Sequence, residues 1–163
     1  MIYSANIITS SGQTALDPKR TILKLTKGLI YKVEIDFPSG SAGLAGVMVC
    51  DGSYQVWPSS KGEWFTGDSS NIVFEDMYIK ETDPFEFVIY SYNTDDTYDH
   101  LINIRIGLVS KEVFMARFLP TLSYKAFTEM ILNTQAAQAS EVVRQKEEII
   151  DQPFDWLVTE GSI

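Results

Sequence analysis

The segment Asn93-Thr94-Asp95-Asp96-Thr97-Tyr98-Asp99-His100 carries the densest set of chemically capable groups in this 163-residue chain. Asn93, Asp95, Asp96 and Asp99 offer hard oxygen atoms of the kind that bind calcium. The run lacks the central glycine and terminal glutamate of a helix–loop–helix calcium site. The same residues suit a solvated turn held by Asx hydrogen bonds. A structured turn is the expectation, with calcium the one cofactor the segment offers. His100 is the only histidine, so a histidine-rich zinc site lacks ligands. Serine and aspartate are plentiful enough for a Ser-His-Asp triad, but no G-x-S-x-G elbow accompanies them. Glu75/Asp76 and Glu81/Asp83 are carboxylate pairs of the kind used in glycoside hydrolysis. Neighbours on a strand point to opposite faces, so Glu75/Asp76 is a poor pair. No catalytic residue is expected, and the chain reads as a non-enzyme.

Aromatic residues supply the second kind of chemistry. Tyr54, Trp57, Trp64, Phe65, Tyr92 and Tyr98 could form a platform for sugar rings. Trp57 sits inside an apolar run and is expected in the core. Trp64 and Phe65 lie in a loop rich in Gly and Ser and are expected to be exposed together. With Asn93, Asp95, Asp96 and Asp99 they make the candidate contact set for a surface glycan.

Positioning these groups falls to short strands. Leu29–Phe37 alternates most clearly, with Leu29, Tyr31, Val33, Ile35 and Phe37 on one face and Lys32, Glu34 and Asp36 on the other. Asp51-Gly52 between two β-rich runs signals a hairpin. Ile2–Thr9 reads as an edge strand, and Thr21–Thr26, Phe85–Tyr90 and Leu101–Leu108 as further strands. Ser59–Ser70 reads as a polar loop. The glycines of Pro38–Gly46 do not follow the dinucleotide pattern and mark a structural loop. Eight or nine short strands with frequent turns predict a mainly β fold: an antiparallel β-sandwich or jelly-roll-like body over residues 1–118.

The period changes near Pro120. From Leu122, the residues Leu122, Phe127, Met130, Ile131, Thr134 and Ala137 form a stripe at helical spacing. Pro153 ends the helix. A helix of roughly 28 residues spans about 42 Å, longer than a small sandwich can cover. No sustained heptad supports a free-standing coiled coil. Beyond the proline, Phe154, Trp156 and Leu157 form an aromatic tail that either folds back on the body or docks on a neighbour. Residues 119–163 are thus predicted to be a helical extension. Leu122, Phe127, Met130, Ile131, Phe154, Trp156 and Leu157 are its expected protein-contact residues.

Charge narrows the partners. Residues 1–118 hold 15 acidic and 10 basic side chains, and residues 119–163 hold 7 and 3. The net charge of −9 leaves no basic face for phosphate, which argues against nucleic acid and anionic membranes. Cys50, the only cysteine, lies in Val47-Met48-Val49-Cys50 and reads as a buried small hydrophobe. No leader and no membrane-spanning stretch is expected, which suggests a reducing cytoplasm.

Between Lys27 and Leu108 a set of motifs carries a resemblance. Gly28-Leu29-Ile30, Phe37-Pro38-Ser39-Gly40, Gly43-Leu44, Gln55-Val56-Trp57-Pro58 and Tyr92-Asn93-Thr94-Asp95-Asp96 with His100 resemble small β-sandwich structural proteins of tailed bacteriophages. The resemblance implies a virion component, such as a capsid decoration, vertex or tail accessory protein, assembled in the host cytoplasm. Its implied partners are other copies of itself and other virion proteins. It brings no catalytic residues, and the helix and tail fall outside it.

Overall fold

The chain divides into two units, Met1–Pro120 and Thr121–Ile163. The computed structural model describes residues 1–118 and 124–151.

The first unit is a β-sandwich of two five-stranded antiparallel sheets. One sheet runs β1 (Ile2–Thr9), β10 (His100–Val109), β3 (Gly28–Asp36), β7 (Asn71–Phe74), with β8 (Tyr78–Lys80) also pairing β3. The other runs β2 (Lys19–Lys24), β9 (Glu86–Asn93), β4 (Ala45–Asp51), β5 (Tyr54–Trp57), with β6 (Phe65–Thr66) also pairing β4. The core lies between them. Ile102, Ile104, Ile106 and Leu108 alternate inward from β10, and Val47, Val49, Phe87 and Ile89 meet them from the opposite sheet. Alternation of this kind removes apolar side chains from water on one face only, as antiparallel sandwiches require.

The Asp51-Gly52 hairpin forms as the sequence predicts, with Asp51 opposite Tyr54 and Gly52 at φ 61°. The β3 pattern needs a correction. Opposite β10 the register steps from Lys32↔Gly107 to Ile30↔Leu108, leaving Tyr31 as an extra residue. A bulge of this kind reverses which residues face inward. Ile30 is therefore buried in the core, while the Tyr31 ring lies over Gly107, where a Cβ would come within 2.9 Å of it. There are ten strands among the described residues, because Phe65–Thr66 pairs with β4 inside the stretch expected to be loop.

After β10 the chain forms α1 (Lys111–Phe118), inside the stretch expected to belong to the β body. Ser110 caps it: its Oγ accepts from the Val113 N–H at 3.3 Å and its carbonyl from the Phe114 N–H at 2.9 Å.

The second unit contains α2 (Tyr124–Asp151), 28 residues long. Phe127, Ile131 and Gln145 are buried on one face, and Met130 and Thr134 are half-buried. Ala137, expected in the same stripe, is exposed, because the buried face turns toward Gln138 and Gln145 instead. Leu122, Phe154, Trp156 and Leu157 lie outside the described residues. Among the described residues no helix is long and apolar enough to cross a membrane.

Candidate functional site

The Asn93–His100 segment joins β9 to β10, and its polar groups turn on one another. Asp95 Oδ1 accepts from the backbone N–H of Thr97 at 2.8 Å and of Tyr98 at 3.1 Å. Its Oδ2 lies 3.0 Å from His100 Nε2. Asn93 is fully buried. Its Nδ2 donates to the carbonyls of Thr9 (3.2 Å) and Tyr98 (2.8 Å), and its Oδ1 accepts from the Asp95 N–H at 3.0 Å. Asp99 accepts from the Ser11 N–H at 2.8 Å, and Asp96 from the Thr97 hydroxyl at 2.7 Å. Two backbone bonds, Gly12 N–H to Asp95 O and Asn93 N–H to Gln13 O, tie the loop to the turn after β1. Beneath it, the buried hydroxyls of Thr9 and Ser91 meet at 2.7 Å. The residues expected as oxygen ligands thus act as turn-formers. Among the described residues no three His, Cys, Asp or Glu side chains are grouped to hold a metal ion.

The Thr97 and Tyr98 N–H groups, and after them His100, hold the Asp95 carboxyl below the usual carboxylate range. A depressed folded value stabilises above the unfolded value, and that contribution is lost as pH falls through the folded one. Urea midpoints measured from about pH 7 down to about pH 3 are expected to fall less steeply for Asp95→Asn than for wild type. Parallel profiles would remove Asp95 from the acid response.

The aromatic residues separate by face. Trp64 and Tyr92 meet edge to face on the outer side of the second sheet, with ring centroids 5.0 Å apart at 84°. Gly46 lets this happen, since a Cβ there would sit 2.3 Å from Tyr92 Cε1. Met48, Cys50 and Val88 are buried beside them, with Trp64 and Tyr90 packed on top. Burial pushes the Cys50 thiol up to about 12, so it behaves as the small hydrophobe the sequence suggests. Arg20 stands in register beside Tyr90, and Ile22 beside Val88.

The loop that delivers Trp64 is shaped by one side chain. Gln55 Nε2 donates toward the carbonyls of Pro58 (2.7 Å), Ser60 (3.0 Å) and Glu63 (3.0 Å), and Oε1 accepts from the Gly62 N–H at 2.9 Å.

Phe65 does not share the platform, contrary to expectation. It lies on β6 opposite Val47 and its ring packs 5.7 Å from Phe74, because adjacent strand residues point to opposite faces. Tyr54 packs against the inner core, and Tyr98 is exposed. Trp57 is core, as expected.

A further cluster was not anticipated. Lys80 is only 2% exposed, yet its Nζ bonds the Asp51 carboxylate. The Tyr78 hydroxyl donates to the other Asp51 oxygen at 2.9 Å, and the Phe87 ring lies 5.8 Å from Lys80 Nζ. The pair joins β8 of one sheet to β4 of the other. Burial, then the Asp51 charge, pushes the Tyr78 phenol well above its ordinary value. The available signal was the period of Tyr78-Ile79-Lys80, which places the lysine on the same face as a core tyrosine.

No protein-family model matches the chain, and no curated protein matches it.

Proposed function

We propose that the chain is a non-enzymatic structural subunit of a bacteriophage particle. Its β-sandwich is the folded body, and residues 121–163 attach it to further copies or to other virion proteins. The observation that carries this reading is α2. It buries Phe127 and Ile131 on one face while leaving Leu132 57% and Val143 54% exposed on another. A long helix with apolar side chains left in water has surface to bury against a partner. The particle assignment draws on the motif resemblance between Lys27 and Leu108. The Asn93–Asp96 motif works as turn scaffolding here, consistent with a body selected for shape. Removing residues 121–163 is expected to abolish oligomer formation or partner binding, read by sedimentation equilibrium and co-purification. An unchanged oligomer with unchanged partner binding would reject the attachment reading.

A second reading is supported by a separate observation. Trp64, Tyr90 and Tyr92 are half-buried on the outer face of the second sheet, with Arg20 in register beside Tyr90. Apolar surface with a few placed polar groups is the usual composition of a small-ligand site. A surface glycan is the class that fits. Trp64→Ala is expected to weaken glycan-array binding about tenfold. No binding by wild type, with or without calcium, would eliminate this reading.

A further inference from the structure

The exposed face of α2 has an order that its composition hides. Leu132, Ala136, Ala139 and Val143 are all exposed and fall at steps of four, three and four. That is the spacing of a two-helix seam. One further step each way places Glu129 and Lys146, both exposed, at the ends of the same seam. The six positions span about 26 Å of helix.

The seam matches itself in reverse. Laid antiparallel about a two-fold axis midway between Ala136 and Ala139, Leu132 meets Val143 of the second copy and Ala136 meets Ala139. Glu129 then meets Lys146, and each match occurs twice by symmetry. Laid parallel, every residue faces its own copy, so Glu129 meets glutamate and Lys146 meets lysine. Opposite charges thus favour one direction and like charges oppose the other. The two central alanine layers let the backbones approach near the lower limit of helix spacing, about 8 Å.

We propose that α2 pairs antiparallel with α2 of a second copy of this chain, through the seam from Glu129 to Lys146. The inference rests on the self-association reading above and specifies its geometry. The seam is short and partly alanine, so the dimer is expected to be reversible.

The test uses the full chain and sedimentation equilibrium. Glu129→Lys and Lys146→Glu, each alone, create two like-charge contacts per dimer and are expected to raise the dimer dissociation constant about tenfold. The double reversal restores opposite charges and is expected to return the constant to near the wild-type value. Under mild oxidation, Leu132→Cys with Val143→Cys is expected to cross-link two chains, while Leu132→Cys alone is not. Circular dichroism on each variant checks that the helix content is unchanged. Cross-linking by Leu132→Cys alone would overturn the direction. An oligomer indifferent to both charge reversals, yet lost when residues 121–163 are removed, would overturn the seam and leave the attachment reading standing. A wild-type chain that stays monomeric at every concentration would overturn the pairing, and attachment would then rest on other virion proteins.

Discussion

Lys80→Ala is expected to lower the free energy of unfolding by about 3–5 kcal/mol, the usual cost of removing one partner from a buried ion pair. The lysine is 2% exposed and its ammonium bonds Asp51. Without it, Asp51 keeps the Tyr78 hydroxyl at 2.9 Å but loses its countercharge. The substitution also leaves a void beside Phe87, so transfer and cavity costs act in the same direction. The loss is a large share of the about 5–15 kcal/mol that holds a typical domain together. Replacing both partners, Lys80→Met with Asp51→Leu, is expected to recover part of it: no buried charge is then left unpaired, while the Tyr78 hydroxyl loses its acceptor. Urea denaturation followed by tryptophan fluorescence reads both variants. A Lys80→Ala protein within about 1 kcal/mol of wild type would show that the pair is solvated and contributes little.

Trp57→Ala is the second large effect, also expected at about 3–5 kcal/mol. Trp57 makes edge contacts with Phe74, Tyr78 and Phe87 at 6.1, 5.7 and 5.3 Å. Its Nε1–H donates to Asp76 Oδ2 at 2.7 Å. The side chain therefore joins aromatic residues from both sheets and satisfies a carboxylate near the sandwich rim. Trp57→Phe separates the two roles. It keeps a ring in the cluster but removes the donor, and is expected to cost about 1–3 kcal/mol. Equal destabilisation by Phe and Ala would mean that the Asp76 hydrogen bond outweighs the packing. Near-uv circular dichroism on both variants reports whether the remaining aromatic cluster stays ordered.

The fold class was legible because its strands are buried on one side. Val33 and Ile35 in β3, and Ile102, Ile104 and Ile106 in β10, alternate with polar residues, and such a pattern has one physical reading. Tyr31 broke that reading at one point, since nothing in Leu29-Ile30-Tyr31 shows that β3 carries a residue more than its partner. Bulges are set by pairing, which a single strand does not contain. Phe65 failed for the same reason: its face depends on β6 pairing with β4. The helix α1 was missed although Ser110 is an ordinary N-cap, because eight residues give too short a period to notice. Lys80 was passed over because lysine is rarely buried, and only the fold shows that Asp51 waits for it across the sandwich. Trp64 and Tyr92 were both candidates from sequence, but their meeting depends on Gly46, whose missing side chain is informative only once the ring above it is known.

Gln55 shapes the turn after β5 entirely through main-chain groups: three carbonyls and one N–H. It reads no side chain in that turn. Ser60 and Glu63 are exposed and enter these bonds only through their main chain, whereas Ser59 Oγ donates to the Val56 carbonyl at 3.2 Å and Gly62, at φ 81°, takes the backbone region that favours glycine. The side chains of Ser60 and Glu63 are therefore uncoupled from the path of the chain. Such a turn can exchange its chemistry, acidic for basic or polar for aromatic, while the scaffold beneath stays fixed. It is a place where this protein can diversify what it presents to the outside without renegotiating its fold.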